Sequence, residues 1–513
     1  MHELELLLGL FTAAVVLAAA ARRAGAPYPV FLALGGALLA SLPVAPSFTL
    51  APELALALFV APVLLDAAYD TSIRDLRDNW APVTALVVVA VGLTTAAVAV
   101  VARWIVPSMP WPAAVALGAV VAPPDAVAAT AVLRQLRLPH RILTVLEGES
   151  LLNDATALLI FRLAVGAAAT NAFSIGDVAP AFLLAVAGSV VAGPVLAWLL
   201  LQVMDRVRHI PTAIILQFVS TFGVWMLAEH LGLSAVLTMV CFAVTAARTS
   251  PTRTPARTRI PTYAVWETAV FALNILAFIF IGLQIRPILA DLAPDERGRY
   301  FFVAAAILIT VIVVRFAWHM SFNAVVRWRH RRFGFHPPRP MLRPTVGSGL
   351  VVAWSGMRGI VSLAAAMALP AGFPYRDLIV LTAFAVVLGT LVIQGLTIKP
   401  LLRRLDLRDD DPVGREISAA HERARSAGLA WLGKDTSPVA AAVREEFAAS
   451  LSSASAGSRE ATPNRHSDLR RGAIDAARRA VLTMRASNEI GDDAFHQIEE
   501  ELDWLEMADR RTE

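Results

Sequence analysis

Lysine is almost missing from this 513-residue chain: Lys399 and Lys434 are the only two, so nearly all positive charge is carried by arginine. Cysteine is scarcer still, and Cys241, alone in an apolar run, excludes an intrachain disulfide framework. Charged residues of all kinds make up 17%, against roughly a quarter in ordinary soluble domains. No HExxH, CxxC or P-loop pattern occurs, and nothing points to an enzyme, a bound metal or another cofactor. The net charge is only +4, with the arginines spread over short loops and the C-terminal tail, so no basic face for nucleic acid is present.

What is abundant is apolar sequence: 57% of residues are hydrophobic and the mean hydropathy is +0.61. The chain reads as an all-α polytopic membrane protein. Thirteen apolar runs of spanning length begin near Leu4, Tyr28, Leu50, Trp80, Trp111, Ile142, Val178, Ile210, Leu233, Tyr263, Phe301, Val346 and Leu378. The first run lacks a charged leader and a cleavage site, and is read as a retained helix. Loop charge alternates in register with this count. One set of loops carries Arg22 and Arg23, Arg74 and Arg77, Arg134 to Arg141, Arg206 and Arg208, Arg248 to Arg259, and Arg327 to Arg343; the other set is poor in arginine. The arginine-rich set is expected in the cytoplasm of a cell-membrane protein, with the N-terminus outside and the tail inside. Residues 1–404 form the expected membrane domain. Residues 405–513 form a soluble cytoplasmic tail, with a Ser/Ala/Gly-rich linker at 452–467 and an amphipathic stretch at 479–511.

Acids and amides inside the sixth run carry the chemistry. Glu147-Gly148-Glu149-Ser150-Leu151-Leu152-Asn153-Asp154 lies amid leucine and alanine, where a carboxylate costs roughly 2.5–3.5 kcal/mol even on mild insertion scales. Such a residue is by default part of an ion or proton pathway. The i,i+4 pairs Ser150/Asp154 and Glu149/Asn153 are expected to gather on one side of the helix. In the fifth run, Pro123-Pro124-Asp125 breaks the hydrogen-bond ladder beside an acid, and broken helices at membrane depth commonly line ion sites. A second interruption, Gly356-Met357-Arg358-Gly359, answers it near the end, as an inverted repeat would produce. Arg358 needs a counter-charge, with Glu149, Asp125 and Asp154 as candidates. Arg315 reads as a snorkelling or structural arginine, Glu267 as an acid at a helix start, and Asn274, Gln217 and Ser220 as helix-bridging groups. Asp66, near a helix end, reads as a solvated terminus, and His319, His330 and His336 as residues of a basic loop.

With these motifs the chain resembles the sodium/proton antiporters of the NhaP and eukaryotic exchanger type. The resemblance rests on Glu147 to Ala155, on Asp125 in its proline-broken span, and on Gly356 to Ser362, and extends more loosely from Leu4 to Leu402. It implies inverted repeats of six-helix units, a moving core beside a dimerisation domain, and a homodimer. It implies that Asp154 binds the exchanged proton and cation, helped by Asp125 and Ser150, with Asn153 as the neutral residue before it. It also implies that Glu149 and Arg358 form a structural ion pair. Where many relatives have Thr-Asp-Pro this chain has Pro124-Asp125-Ala126, so a carbonyl at Pro124 has to stand in for the threonine ligand. Asp66 takes roughly the place of a glutamate found in some relatives, and the resemblance makes it a site acid as readily as a solvated helix end. Exchange of Na⁺, or another monovalent cation, for H⁺ follows from competition for Asp154. One negative charge neutralised by either ion gives electroneutral 1:1 exchange, and the resemblance implies the same, because relatives that exchange electrogenically tend to have Asp at the place of Asn153 and often a membrane lysine. The rivals are a K⁺/H⁺ antiporter built on the same site, a cation channel, and a sensor signalling through its tail.

Overall fold

The computed structural model describes residues 2–42, 51–133, 138–170, 175–253, 256–290, 292–334, 343–405, 407 and 415. The expected tail apart from Leu405, Leu407 and Arg415, and also Arg134, Arg137, His336 and Arg339, lie outside them. The chain divides into two compact units, Met1–Asp410 and Asp411–Glu513, and all the helical spans belong to the first.

The described residues form helices and no strand; thirteen helical spans start close to the apolar runs of the sequence, and two short helices, Ile73–Asp78 and Ile285–Ala290, lie between spans. They are α1 (His2–Ala24), α2 (Tyr28–Ala40), α3 (Pro52–Asp70), and α4, which joins Trp80–Thr84, a π-helical turn Ala85–Ala90 and Val91–Ile105. Next come a broken α5, with halves α5a (Trp111–Val121) and α5b (Ala126–Leu133), then α6 (His140–Thr170) and α7 (Ile175–Met204). The remainder are α8 (Ile210–His230), α9 (Ala235–Arg253), α10 (Ala256–Leu283), α11 (Arg297–Phe333), a broken α12, with α12a (Val346–Trp354) and α12b (Ile360–Met367), and α13 (Arg376–Leu405).

Local chemistry sets several boundaries. α2, α3, α5a and α8 each carry proline in their first turn, where its missing N–H costs nothing and its fixed φ suits the helix. α12a begins with a capping box in which Thr345 Oγ1 accepts from Ser348 N at 3.0 Å and Ser348 Oγ accepts from Thr345 N at 2.9 Å. α11 stops at Gly334, whose φ of 82° favours glycine.

Two apolar cores organise the bundle. One is built from α3, α7, α8 and α9 around Trp225, Met239 and Phe242. The larger joins α1, α2, α4, α5, α10, α11, α12 and α13, with Leu117, Ile279, Met357 and Leu363 fully buried. α6 contributes Leu151 to the first and Ile142, Leu146 and Phe161 to the second, so it lies where the two meet. Many large apolar side chains remain exposed, among them Leu184, Val191 and Trp198 on α7. That suits a hydrocarbon surround rather than water.

Candidate functional site

The two proline and glycine interruptions leave residues 122–125 and 355–359 non-helical, and the structure lays one break across the other. Asp125 N donates to Met357 O at 2.7 Å, joining them directly. Arg358, fully buried, donates from Nε to Val121 O at 3.0 Å and from Nη2 to Ala122 O at 3.3 Å, and its Nη1 also reaches Gly356 O. Its own backbone N–H is held by Thr390 Oγ1 of α13 at 3.0 Å. Arg358 therefore caps the C-terminal carbonyls of α5a, where a cation complements the helix dipole.

Glu149 is not paired with Arg358. Its carboxylate is held by both ends of the Arg315 guanidinium, Nη1 to Oε1 at 2.6 Å and Nη2 to Oε2 at 2.9 Å, with both side chains at most 4% exposed. Arg315 also donates to Ala353 O at 3.3 Å and Val352 O at 3.2 Å, so it caps α12a much as Arg358 caps α5a. The expected pairing fails for a physical reason: the carbonyls freed by the break in α5 occupy Arg358, and α11 supplies the planar fork that a buried carboxylate needs. Nor does Arg315 snorkel to the membrane edge. Its position in α11, a helix of 37 residues, carries it into the bundle instead.

The expectation that all four polar groups of α6 share one side is also corrected. At about 100° per residue, Glu149 and Asp154 differ by roughly 140° around the helix. Ser150 and Asp154 face a cavity of about 650 Å³, whereas Glu149 and the fully buried Asn153 face away from it. Pro124 is buried in the break, and neither it nor Asn153 lines the cavity. Asp125, Asp154 and Ser150 do line it together, joined by Thr130, Asn274 and Tyr263. Three further acids that the sequence left bland or undecided, Asp66, Glu147 and Glu267, also line it, and no Arg, Lys or His does so among the described residues. Their distance from Asp154 in sequence hid Asp66 and Glu267, since only tertiary packing brings α3 and α10 to α6. Gln217, by contrast, does bridge helices, accepting from Trp266 Nε1 at 2.9 Å.

Asp154 is the centre of this geometry. It is 8% exposed, within electrostatic reach of Asp125, and makes no hydrogen bond or ion pair with any described residue. A carboxylate so buried needs a proton, a cation or water to offset its lost hydration. Asp125 is positioned differently, packed against Gly359 at the N-terminus of α12b so closely that any β-carbon there would overlap its carboxylate. Gly359→Ala is accordingly expected to displace Asp125 or shift the crossed break, at an overpacking cost of about 1–3 kcal/mol. Detergent melting of the purified, monodisperse variant checks this, and a wild-type melting temperature would count against the contact.

Residues 10–404, which include both breaks and all of α6, match the family described as sodium/hydrogen exchanger, transmembrane. The chain is 32% identical over 399 residues to a protein of Bacillus pumilus named "Sodium, potassium, lithium and rubidium/H(+) antiporter". That match covers 74% of this chain but 58% of the relative, so the chain spans a little over half of its length. A Mycobacterium tuberculosis (strain ATCC 25618 / H37Rv) protein named an uncharacterized Na(+)/H(+) exchanger is 31% identical over 508 residues, covering 93% of this chain and 91% of that one. Among solved structures, the sodium proton antiporter MjNhaP1 of Methanocaldococcus jannaschii superposes with a TM-score of 0.60 at 17% identity, over 79% of this chain and 99% of that one, a likeness of fold. Crossed breaks, a carboxylate-lined cavity and a family match running through both place the chain in the sodium/hydrogen exchanger family.

Proposed function

We propose that this chain is a secondary antiporter exchanging Na⁺, or another monovalent cation, for H⁺ across the cell membrane. The observation that carries the reading is Asp154: a buried carboxylate without a partner among the described residues, beside Asp125, in a cavity lined by acids alone among its charged residues. Asp154 takes either a proton or a cation, and Asp125 and Ser150 complete the cation's surroundings. The two compete for one negative charge, which is what couples their opposite movement. Arg315 and Arg358 hold the half-helix ends so that neither basic group reaches the cavity. Asn153 stays neutral behind the site.

The cavity extends from Asp154 toward Asp66 and Tyr263, near the arginine-rich ends of α3 and α10. By the charge rule those ends are cytoplasmic, so this conformation exposes the site inward, with the N-terminus outside and the tail inside. Alternating access then requires the crossed breaks and α6 to move relative to α3 and α7–α9, in a homodimer of such subunits. The Bacillus relative's name supports a broader cation range, so K⁺ stands as a second substrate.

Proteoliposomes containing a pH dye, challenged in turn with Na⁺, Li⁺ and K⁺, test both activity and selectivity. Cation-driven alkalinisation is expected with at least one of them, and no response to any would overturn the proposal. One exchanged charge makes the cycle electroneutral. Each net charge moved would add about 2.3 kcal/mol per 100 mV. In K⁺-free vesicles with the Na⁺ gradient held constant, the zero-flux pH gradient is therefore expected to stay fixed while a gradient of the permeant anion thiocyanate sets the voltage, and a shift with voltage would contradict 1:1 exchange.

A further inference from the structure

A second cavity, of about 830 Å³, lies on the other side of α6. Glu147, Ser150, Leu151 and Asp154 of that helix face the acidic cavity, whereas Arg141, Ile142 and Val145 face this one. Its remaining walls come from α4, α11, the start of α12a and the end of α13, so both cavities sit at the arginine-rich end of the bundle. Their charge is opposite. Arg141, Arg343 and His319 line the second cavity and, among the described residues, no Asp or Glu does. Arg141 and Arg343 also both lie within electrostatic reach of His330, so the positive groups converge.

Two features show what chemistry this surface takes. The segment Thr345-Val346-Gly347-Ser348 presents the N-terminus of the nine-residue α12a to the cavity. Its capping box uses the N–H groups of Thr345 and Ser348, and helix geometry leaves those of Val346 and Gly347 without an intrahelical acceptor. Independently, His319 is 3% exposed, and its Nε2 is buried without a hydrogen-bond partner. Its Nδ1 donates to Arg315 O at 2.7 Å, so in the neutral ring the proton sits on Nδ1 and Nε2 is an acceptor. Arg141 is likewise only partly engaged: Nε donates to Asn79 Oδ1 at 3.1 Å, and Nη1 is buried without a partner. A ligand that suits these groups has several acceptor oxygens for the guanidinium and backbone donors, and one O–H for Nε2. Inorganic hydrogen phosphate has both, as does the monoanion of a phosphate monoester, whereas sulfate at neutral pH has acceptors only.

We propose that this basic cavity is a binding site for a phosphate monoester group, borne either by a soluble phosphate or by the headgroup of a phosphomonoester lipid. Its contacts fall on α6, which carries Asp154, and on α12a, which runs into the crossed break. Occupancy would brace those two elements against α11 and alter turnover without touching the transported cation.

The test uses the full purified chain, with inorganic phosphate, sulfate, and nanodiscs of phosphatidylcholine with or without phosphatidic acid. Phosphate is expected to bind about tenfold more tightly than sulfate, and Arg343→Gln or Arg141→Gln to weaken it about tenfold. Arg343 is exposed, so its variant is expected to fold even if loss of the Arg141 to Asn79 contact proves disruptive. His319→Leu is expected to erase the preference for phosphate over sulfate, a change that a purely structural histidine would not produce. Asp154→Asn is expected to bind phosphate normally, which separates this site from the transport site. Stabilisation by phosphatidic acid alone, lost in Arg343→Gln, would identify the lipid source and uphold the site. Absence of any response to phosphate and phosphatidic acid, or binding unaffected by both arginine variants, would overturn it.

Discussion

Asp154→Asn is expected to abolish cation/proton exchange while leaving a folded, membrane-inserted protein. The amide preserves shape and volume, but it cannot alternate between a neutral and an anionic form. The wild-type carboxylate makes no hydrogen bond or ion pair with a described residue, so the substitution strands no partner and stability should hold. Loss of the exchanged charge removes the coupling itself, and turnover should drop to the background of empty liposomes. Melting in detergent should shift by no more than a few degrees. Wild-type-like pH recovery in proteoliposomes would remove Asp154 from the centre of the mechanism. Asp125→Asn offers a graded comparison, because Asp125 is held against Gly359 and shares the cavity without being the group left unpartnered.

Breaking the Glu149–Arg315 pair should do the opposite, damaging the fold more than it alters selectivity. Both groups are almost completely buried and bonded at 2.6 and 2.9 Å, and removing one strands the other at a cost of roughly 3–5 kcal/mol. Arg315→Gln additionally exposes the α12a carbonyls at Val352 and Ala353, so it should be the more harmful of the two. Detergent melting of Glu149→Gln, Arg315→Gln and the double variant should show strong non-additivity, the double being little worse than Arg315→Gln alone. The corresponding cycle between Glu149 and Arg358 should show a smaller coupling, because those two interact through the field but make no ion pair. Equal coupling in both cycles would contradict the assignment of Arg315 as the partner.

The contrast between these arginines marks how far the sequence can be read. Prolines 123 and 124 and glycines 356 and 359 locate both breaks, since the loss of a backbone donor and the lack of a side chain are local properties. The same locality places Asp154 and Ser150 together, four residues apart on one helix. Partner choice is not local. Arg358 and Glu149 suggest each other because both are charges in apolar runs, yet the α5 carbonyls that claim Arg358 lie more than 230 residues earlier in the chain. His319, expected near a basic loop, is buried because it lies one turn beyond Arg315 on the face of α11 that packs inward, a face that runs on to Asn323 before the loop charge begins at Arg327. Asp66 and Glu267 reach the cavity only through the packing of α3 and α10 around it. The faces of α6 are separable from sequence by its 100° step alone, which already divides Glu149 from Asp154.

The proposed competition of proton and cation for one carboxylate is tested most directly by proton release on cation binding. The purified chain in weakly buffered detergent solution, near neutral pH and with a pH-sensitive dye, is titrated with NaCl against a choline chloride control. Na⁺ should acidify the medium, with up to one proton released per cation bound and a larger release at the lower pH where Asp154 is more often protonated. Asp154→Asn should release none. Cation binding without proton release across the pH range in which the protein transports, or undiminished release from Asp154→Asn, would contradict competition at this residue.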